Sequence, residues 1–207
     1  SLYLVDIGAS AGLNLFWDHY GYKYGDLIEC GDRKSPVQIN CVLKGTRVPS
    51  LPASFPRVAG RVGLDLHPLD VRGSEDALWL RALIWPEHEA RADLLSKAIE
   101  VVRQQPLKLL AGNGVDLLRD ILSTVPADSV LCIVRIFTRL SPEDRDRLSA
   151  LILEYSTKRD VIIISLRPHG ADDSEIRLTS FIKGNRTDEG LAYLQNHGEW
   201  IEWLDEA

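Results

Sequence analysis

The chain has 207 residues and carries 24 lysines and arginines against 30 aspartates and glutamates, a net charge of −6. With 45% hydrophobic and 26% charged residues it has the balance of one soluble globular domain with a sizeable core. The acidic excess and the lack of a basic run argue against a nucleic-acid partner, and no apolar run approaches the roughly 20 residues of a membrane span.

The first element is Leu2 to Asn14, LYLVDIGASAGLN. Leu2, Tyr3, Leu4, Val5 and Ile7 form an apolar run suited to a strand buried on both faces of a parallel sheet. Asp6, Gly8 and Gly12 punctuate the turn after it, and Leu13, Phe16 and Trp17 fall at the spacing of a helix over Leu13 to His19. Glycine lacks a Cβ and tolerates positive φ, so such a turn brings bare backbone N–H groups up to a ligand. Three motif readings compete. The dinucleotide fingerprint G-x-G-x-x-G fails, because Ser10 and Leu13 occupy the positions of its later glycines. Gly8 to Gly12 fits G-x-S-x-G, the elbow of an α/β-hydrolase with Ser10 as nucleophile. The stretch also resembles the first glycine loop of class I S-adenosylmethionine methyltransferases, in which an acid ends the first strand and a G-x-G-x-G loop follows. Here Ser10 replaces the middle glycine.

Only seven residues precede Gly8, too few for the strands and oxyanion loop that come before a hydrolase elbow. Asp6 has a use only in the methyltransferase reading, near the charged amino-acid end of the cofactor. A tight turn without a ligand is the plain alternative.

Tyr20 to Phe55 holds several glycines and prolines around a β-like run, Val37 to Leu43, and reads as an inserted hairpin or long ordered loop. Trp17, Tyr20, Tyr22 and Tyr24 sit beside the glycine loop; they form a satellite aromatic cluster or a wall of the ligand pocket, the first being commoner. Arg61 to Asp70, RVGLDLHPLD, gives a second short strand ending at Asp65. A carboxylate there can accept both hydroxyls of a ribose, or serve as a turn or helix-cap residue. His67 is a loop residue on the adenosine side.

Ser74 to Trp85 has helical spacing, and Pro86 is expected as the first residue of a second helix that Pro106 closes. Glu87, His88 and Glu89 are consecutive and cannot share one helix face, so no metal site is assigned. Leu107 to Ala111 reads as a third buried strand, followed by Gly112, Asn113 and Gly114 and a helix over Val115 to Leu122. Asn113 could read an adenine edge or sit in a left-handed turn. Val130 to Phe137 is the fourth strand, with Arg135, Thr138 and Arg139 at its end, either holding an anionic acceptor or solvated. Ser141, Pro142 and Asp144 mark a helix start. Val161 to Leu166 is the fifth strand. Ile176 to Ile182 and Glu199 to Leu204 read as a terminal antiparallel hairpin separated by a loop and short helix. His197 is the third member of a triad in the hydrolase reading and otherwise a turn residue.

Strands alternating with helices and then the terminal antiparallel hairpin predict an α/β fold, a three-layer sandwich around a mostly parallel sheet with an inserted β-rich segment at about residues 20–56; the resemblance to class I methyltransferases implies that the sandwich is Rossmann-like and of their type. Cys30, Cys41 and Cys132 lack C-x-x-C spacing and read as reduced structural thiols of a cytoplasmic protein, without a signal peptide. The chain enters a strand directly from Ser1 and contains no methionine, which reads as a piece of a longer protein or as a sequence short of its methionines.

The phrases DIGASAGLNLFWDHY, GLDLHPLDV, ALWLRALIWP and HGEWIEWL resemble an uncharacterised bacterial family, domain of unknown function 2332, over nearly the whole chain. That resemblance implies a methyltransferase-like fold and a helical region upstream of the glycine loop, but no established reaction. The methyltransferase resemblance implies that Asp6, Gly8, Ser10 and Gly12 hold the amino-acid part of S-adenosylmethionine, Asp65 its ribose and Asn113 its adenine. The expected function is methyl transfer to a small-molecule acceptor with no assigned catalytic base; the alternatives are a Ser10 hydrolase and a non-catalytic scaffold.

Overall fold

In the computed structural model, which describes residues 1–204 other than 27, 50, 53 and 136–139, the apolar runs of the sequence become neighbouring strands of one sheet. β1 (Leu2–Ile7) leads through a 3-10 helix (Leu13–His19) into β2 (Gly21–Tyr24), β3 (Ile28–Gly31) and β4 (Gln38–Lys44). β5 (Val58–Asp65), α1 (Ser74–Ala82), α2 (Glu89–Arg103), β6 (Lys108–Ala111), α3 (Gly114–Leu122), β7 (Val130–Arg135), α4 (Pro142–Ser156) and β8 (Val161–His169) follow. The chain ends in β9 (Asp173–Ile182), β10 (Asn185–Gln195) and β11 (Trp200–Trp203). The result is a mixed α/β fold around an 11-stranded, mostly parallel sheet in the order β3-β2-β4-β11-β10-β9-β8-β7-β1-β5-β6.

The parallel half is organised by β1. It pairs with β5 on one side, Val5 opposite Val62, and with β7 on the other, Val5 opposite Ile133. Alternate residues of these strands enter two cores. Val5, Ile7, Val62, Leu64, Leu131 and Ile133 pack with α3 and α4, whereas Leu4, Cys132 and Val134 pack with the 3-10 helix and α2. Burial on both faces is why these strands read as unbroken apolar runs. Ile39 of β4 and Tyr22 of β2 join the second core, on the side of the 3-10 helix and α2.

Several expectations are corrected. The first helix is a 3-10 helix kinked at Phe16, whose φ is −107°. Pro86 does not start α2: a separate turn closes from the His88 N–H to the Trp85 carbonyl, and the helix begins at Glu89 with His88 as its cap. The C-terminal hairpin is a meander of three strands, with β10 where a loop and short helix were expected. Lys183 and Gly184, at φ 51° and 81°, make the tight turn into β10, a conformation that suits the twist of a two-residue hairpin. The insert does contain a β2–β3 hairpin, but β4 also pairs in parallel with β11 and extends the sheet. Of the expected fourth strand, Ile136 and Phe137 lie outside the described residues, as do Thr138 and Arg139. The Ser141 hydroxyl caps α4 by accepting from the Asp144 N–H at 3.0 Å, with Pro142 next to it.

Candidate functional site at the carboxyl end of β1

From β1 the chain moves outward through β5 to β6 and then returns to β7 and β8 on the other side, so β1 lies where the strand order reverses. In open α/β sheets ligands bind in the crevice at the carboxyl ends of the strands at such a point. The structure brings Asp6, the Gly8–Gly12 loop and Asp65 together there. Asp6 follows Leu4 on the same face of β1 and is only 3% exposed. Among the described residues nothing donates a hydrogen bond to its carboxyl. Burial, reinforced by the nearby Asp65 carboxylate, pushes the Asp6 carboxyl up from 3.8 to about 7.

The loop folds back onto β5. The Gly8 and Ala9 N–H groups both donate to the Leu64 carbonyl, at 2.8 and 3.2 Å. The Ser10 N–H donates to Asp65 Oδ2 at 2.8 Å, and the His67 N–H donates to Asp65 Oδ1 at 2.9 Å. Asp65 thus ties the glycine loop to the turn after its own strand, a bond no spacing rule revealed, and its oxygens retain lone pairs for a further donor. Gly8 and Gly12 sit at φ 86° and 70°, and a side chain at Gly12 would strike Leu107 Cδ2 at 2.8 Å. Ser10 shares their left-handed backbone at φ 51°, which costs a non-glycine residue about 1 kcal/mol. Ser10→Gly is therefore expected to keep or slightly raise stability, by up to about 1 kcal/mol in a urea melt; a larger loss would show that the hydroxyl carries a structural bond.

Asn113 lies nearby with a different occupation. It caps α3 in extended backbone at φ −65°, its Oδ1 accepting from the Val115 N–H at 2.8 Å and its Nδ2 donating to Asp144 Oδ2 at 3.0 Å. The left-handed turn weighed as its alternative is not formed at Asn113; the positive φ there belongs to Gly112, at 143°. His197 is elsewhere, in the β10–β11 turn, with its Nδ1 3.1 Å from the Arg91 guanidinium. No hydrogen bond joins Ser10 to a histidine among the described residues.

The insert's aromatics are spent on structure. Tyr20 and Tyr22 donate their hydroxyls to the Leu13 and Trp17 carbonyls at 2.8 and 2.9 Å, and Phe55 sets its ring edge-to-face against Trp17 and Tyr22. They brace the 3-10 helix that follows the loop. Arg61, which the motif readings passed over, braces it from β5: its guanidinium donates to both oxygens of Asp18 and to the Leu15 carbonyl and lies over the Phe16 ring. Cys132 is buried and its thiol is pushed up to about 11 by desolvation. Among the described residues no group of three or more His, Cys, Asp or Glu could hold a metal ion, and no helix is long and apolar enough to cross a membrane.

Fold and site together define a mixed α/β protein whose first strand carries a buried acid and a closed glycine loop to the point where the sheet reverses. The chain belongs to the bacterial family described as uncharacterized protein conserved in bacteria (DUF2332), which it matches over residues 1–203. No curated protein and no solved structure matches it.

Proposed function

We propose that the chain binds S-adenosylmethionine at the carboxyl end of β1 and passes its methyl group to a small-molecule acceptor, within a three-layer sandwich of the class I methyltransferase type. The observation that carries the reading is Asp6, a buried carboxyl with no donor among the described residues, beside a loop whose backbone is bent at Gly8, Ser10 and Gly12. A ligand ammonium is a partner that no described residue supplies to it. In this reading Asp6 takes the α-ammonium of the cofactor, the loop lets its chain approach closely, and Asp65 accepts from the ribose hydroxyls with the lone pairs left by Ser10 and His67. The order β6-β5-β1-β7-β8 supports the reading, because ligands of open α/β sheets bind at the carboxyl ends of the strands where the order reverses. Asn113 takes part through its place at the start of α3, since its amide is committed to the helix cap.

When bound, the cofactor supplies a methyl carbon already activated by its sulfonium. The task left to the protein is alignment of the acceptor and exclusion of water. The test is equilibrium titration of the full chain with S-adenosylmethionine and its demethylated product. Saturable binding that weakens at least tenfold in Asp65→Ala supports the reading; no binding to folded protein overturns it. Labelling of Ser10 by a fluorophosphonate would instead favour the hydrolase, whose one structural support is the strained backbone at Ser10.

A further inference from the structure

On the α4 side of the sheet, between α4 and strands β8, β9 and β10, lies a cleft of about 900 Å³ lined by Arg135, Arg145, Arg167, Arg177 and Arg186. Arg177 donates to Glu175 and Asp188, each at 2.7 Å, Arg186 reaches Asp188 at 3.5 Å and Arg167 reaches Glu175 at 4.0 Å. Three guanidinium groups thus share two carboxylates. Arg135, half-buried at the end of β7, and Arg145, exposed on the first turn of α4, have no carboxylate partner among the described residues. Burial and the neighbouring Arg145 charge hold the Arg135 guanidinium below its ordinary value. The cleft carries an excess of three positive charges in a chain whose net charge is −6. Its floor is apolar, formed by Leu148, Ile152, Ile163 and Phe181.

Two cations held together without a carboxylate repel one another, and an anion placed between them offsets that cost. Guanidinium forks match phosphate and carboxylate oxygens in geometry as well as charge. A purely solvated pair would need no apolar floor beside it. We propose that this cleft binds a small amphipathic anion, its phosphate or carboxylate group held by Arg135 and Arg145 and its apolar body resting on Leu148, Ile152 and Phe181. The site stands independently of the cofactor reading, because it lies on the other face of the sheet from Asp6.

Calorimetric titration of the full chain with naphthyl phosphate, naphthoate and uncharged naphthol tests it. One of the two anions binds saturably at one site, and which one identifies the head group; naphthol binds at least tenfold more weakly. Arg135→Gln and Arg145→Gln each weaken the preferred anion roughly tenfold, the loss of one charge-assisted contact, whereas Arg145→Lys retains most of the affinity and Arg119→Gln, on α3, all of it. Should Arg135→Gln fail to fold, the exposed Arg145→Gln decides alone. The proposal is overturned by absence of saturable binding for both anions, by equal affinity for naphthol, by undiminished affinity in Arg145→Gln, or by a short RNA that displaces the anion and binds more tightly.

Discussion

Asp6→Asn is expected to make the protein more stable at pH 8 by about 4 kcal/mol while leaving its stability near pH 4 unchanged. The Asp6 carboxyl is raised from 3.8 to about 7 by burial first and the Asp65 carboxylate second. In the unfolded chain it loses its proton near the ordinary value, whereas in the fold it keeps the proton until about pH 7. The folded state therefore binds the extra proton in that window, and stability falls as pH rises from about 4 to about 7, at roughly 1.4 kcal/mol per pH unit, then levels off. Asparagine fills nearly the same volume and carries no charge, so the variant loses this slope. Urea melts of both proteins at several pH values measure it. Parallel stability curves across that range would contradict a buried acid whose proton is held by desolvation.

Arg61→Ala is expected to lower stability by about 3 kcal/mol. The pair it breaks is bidentate, at 3.0 and 3.1 Å, with the Arg61 and Asp18 side chains only 14% and 17% exposed. Truncation strands the Asp18 carboxylate in a mostly dehydrated place, frees the Leu15 carbonyl and strips the Phe16 ring of its covering cation. The 3-10 helix then loses its tie to β5. Since that helix continues the glycine loop, ligand binding at Asp6 should weaken together with stability. A loss below about 1 kcal/mol in urea would show the pair to be a solvated one of the ordinary surface kind.

The parallel half of the fold was legible because β1, β5 and β7 bury side chains on both faces and β8 sets half-buried ones against both cores, which leaves unbroken apolar runs in the sequence. β10 was not, for the opposite reason. Its first residues, Asn185 to Glu189, are exposed, and cross-strand pairs such as Arg177 with Asp188 stand where apolar side chains would. Polar residues on an uncovered ladder look like a loop. The junction of β4 with β11 was hidden too, since a parallel partner remote in the chain leaves no local pattern. At the site, Asp6 and the Gly8–Gly12 loop were read from the end of one strand and Asp65 from the end of another, and the structure brings the two segments side by side. The Asp65 bond to the Ser10 N–H and the Arg61 brace depend on three-dimensional contact between segments that share no motif. Asn113 was read for an adenine edge, with a left-handed turn between its two glycine neighbours as the alternative; its role as the cap of α3 was not read, although a helix was expected directly behind it.

The account rests on Asp6 as the receptor of a cationic ligand, and the most direct measurement is calorimetric titration of S-adenosylmethionine into the wild-type chain and Asp6→Asn at pH 8. The prediction is saturable binding to the wild type and at least tenfold weaker binding to Asp6→Asn, even though that variant is the more stable protein. Equal binding by the two, or none by a folded wild type, would contradict it.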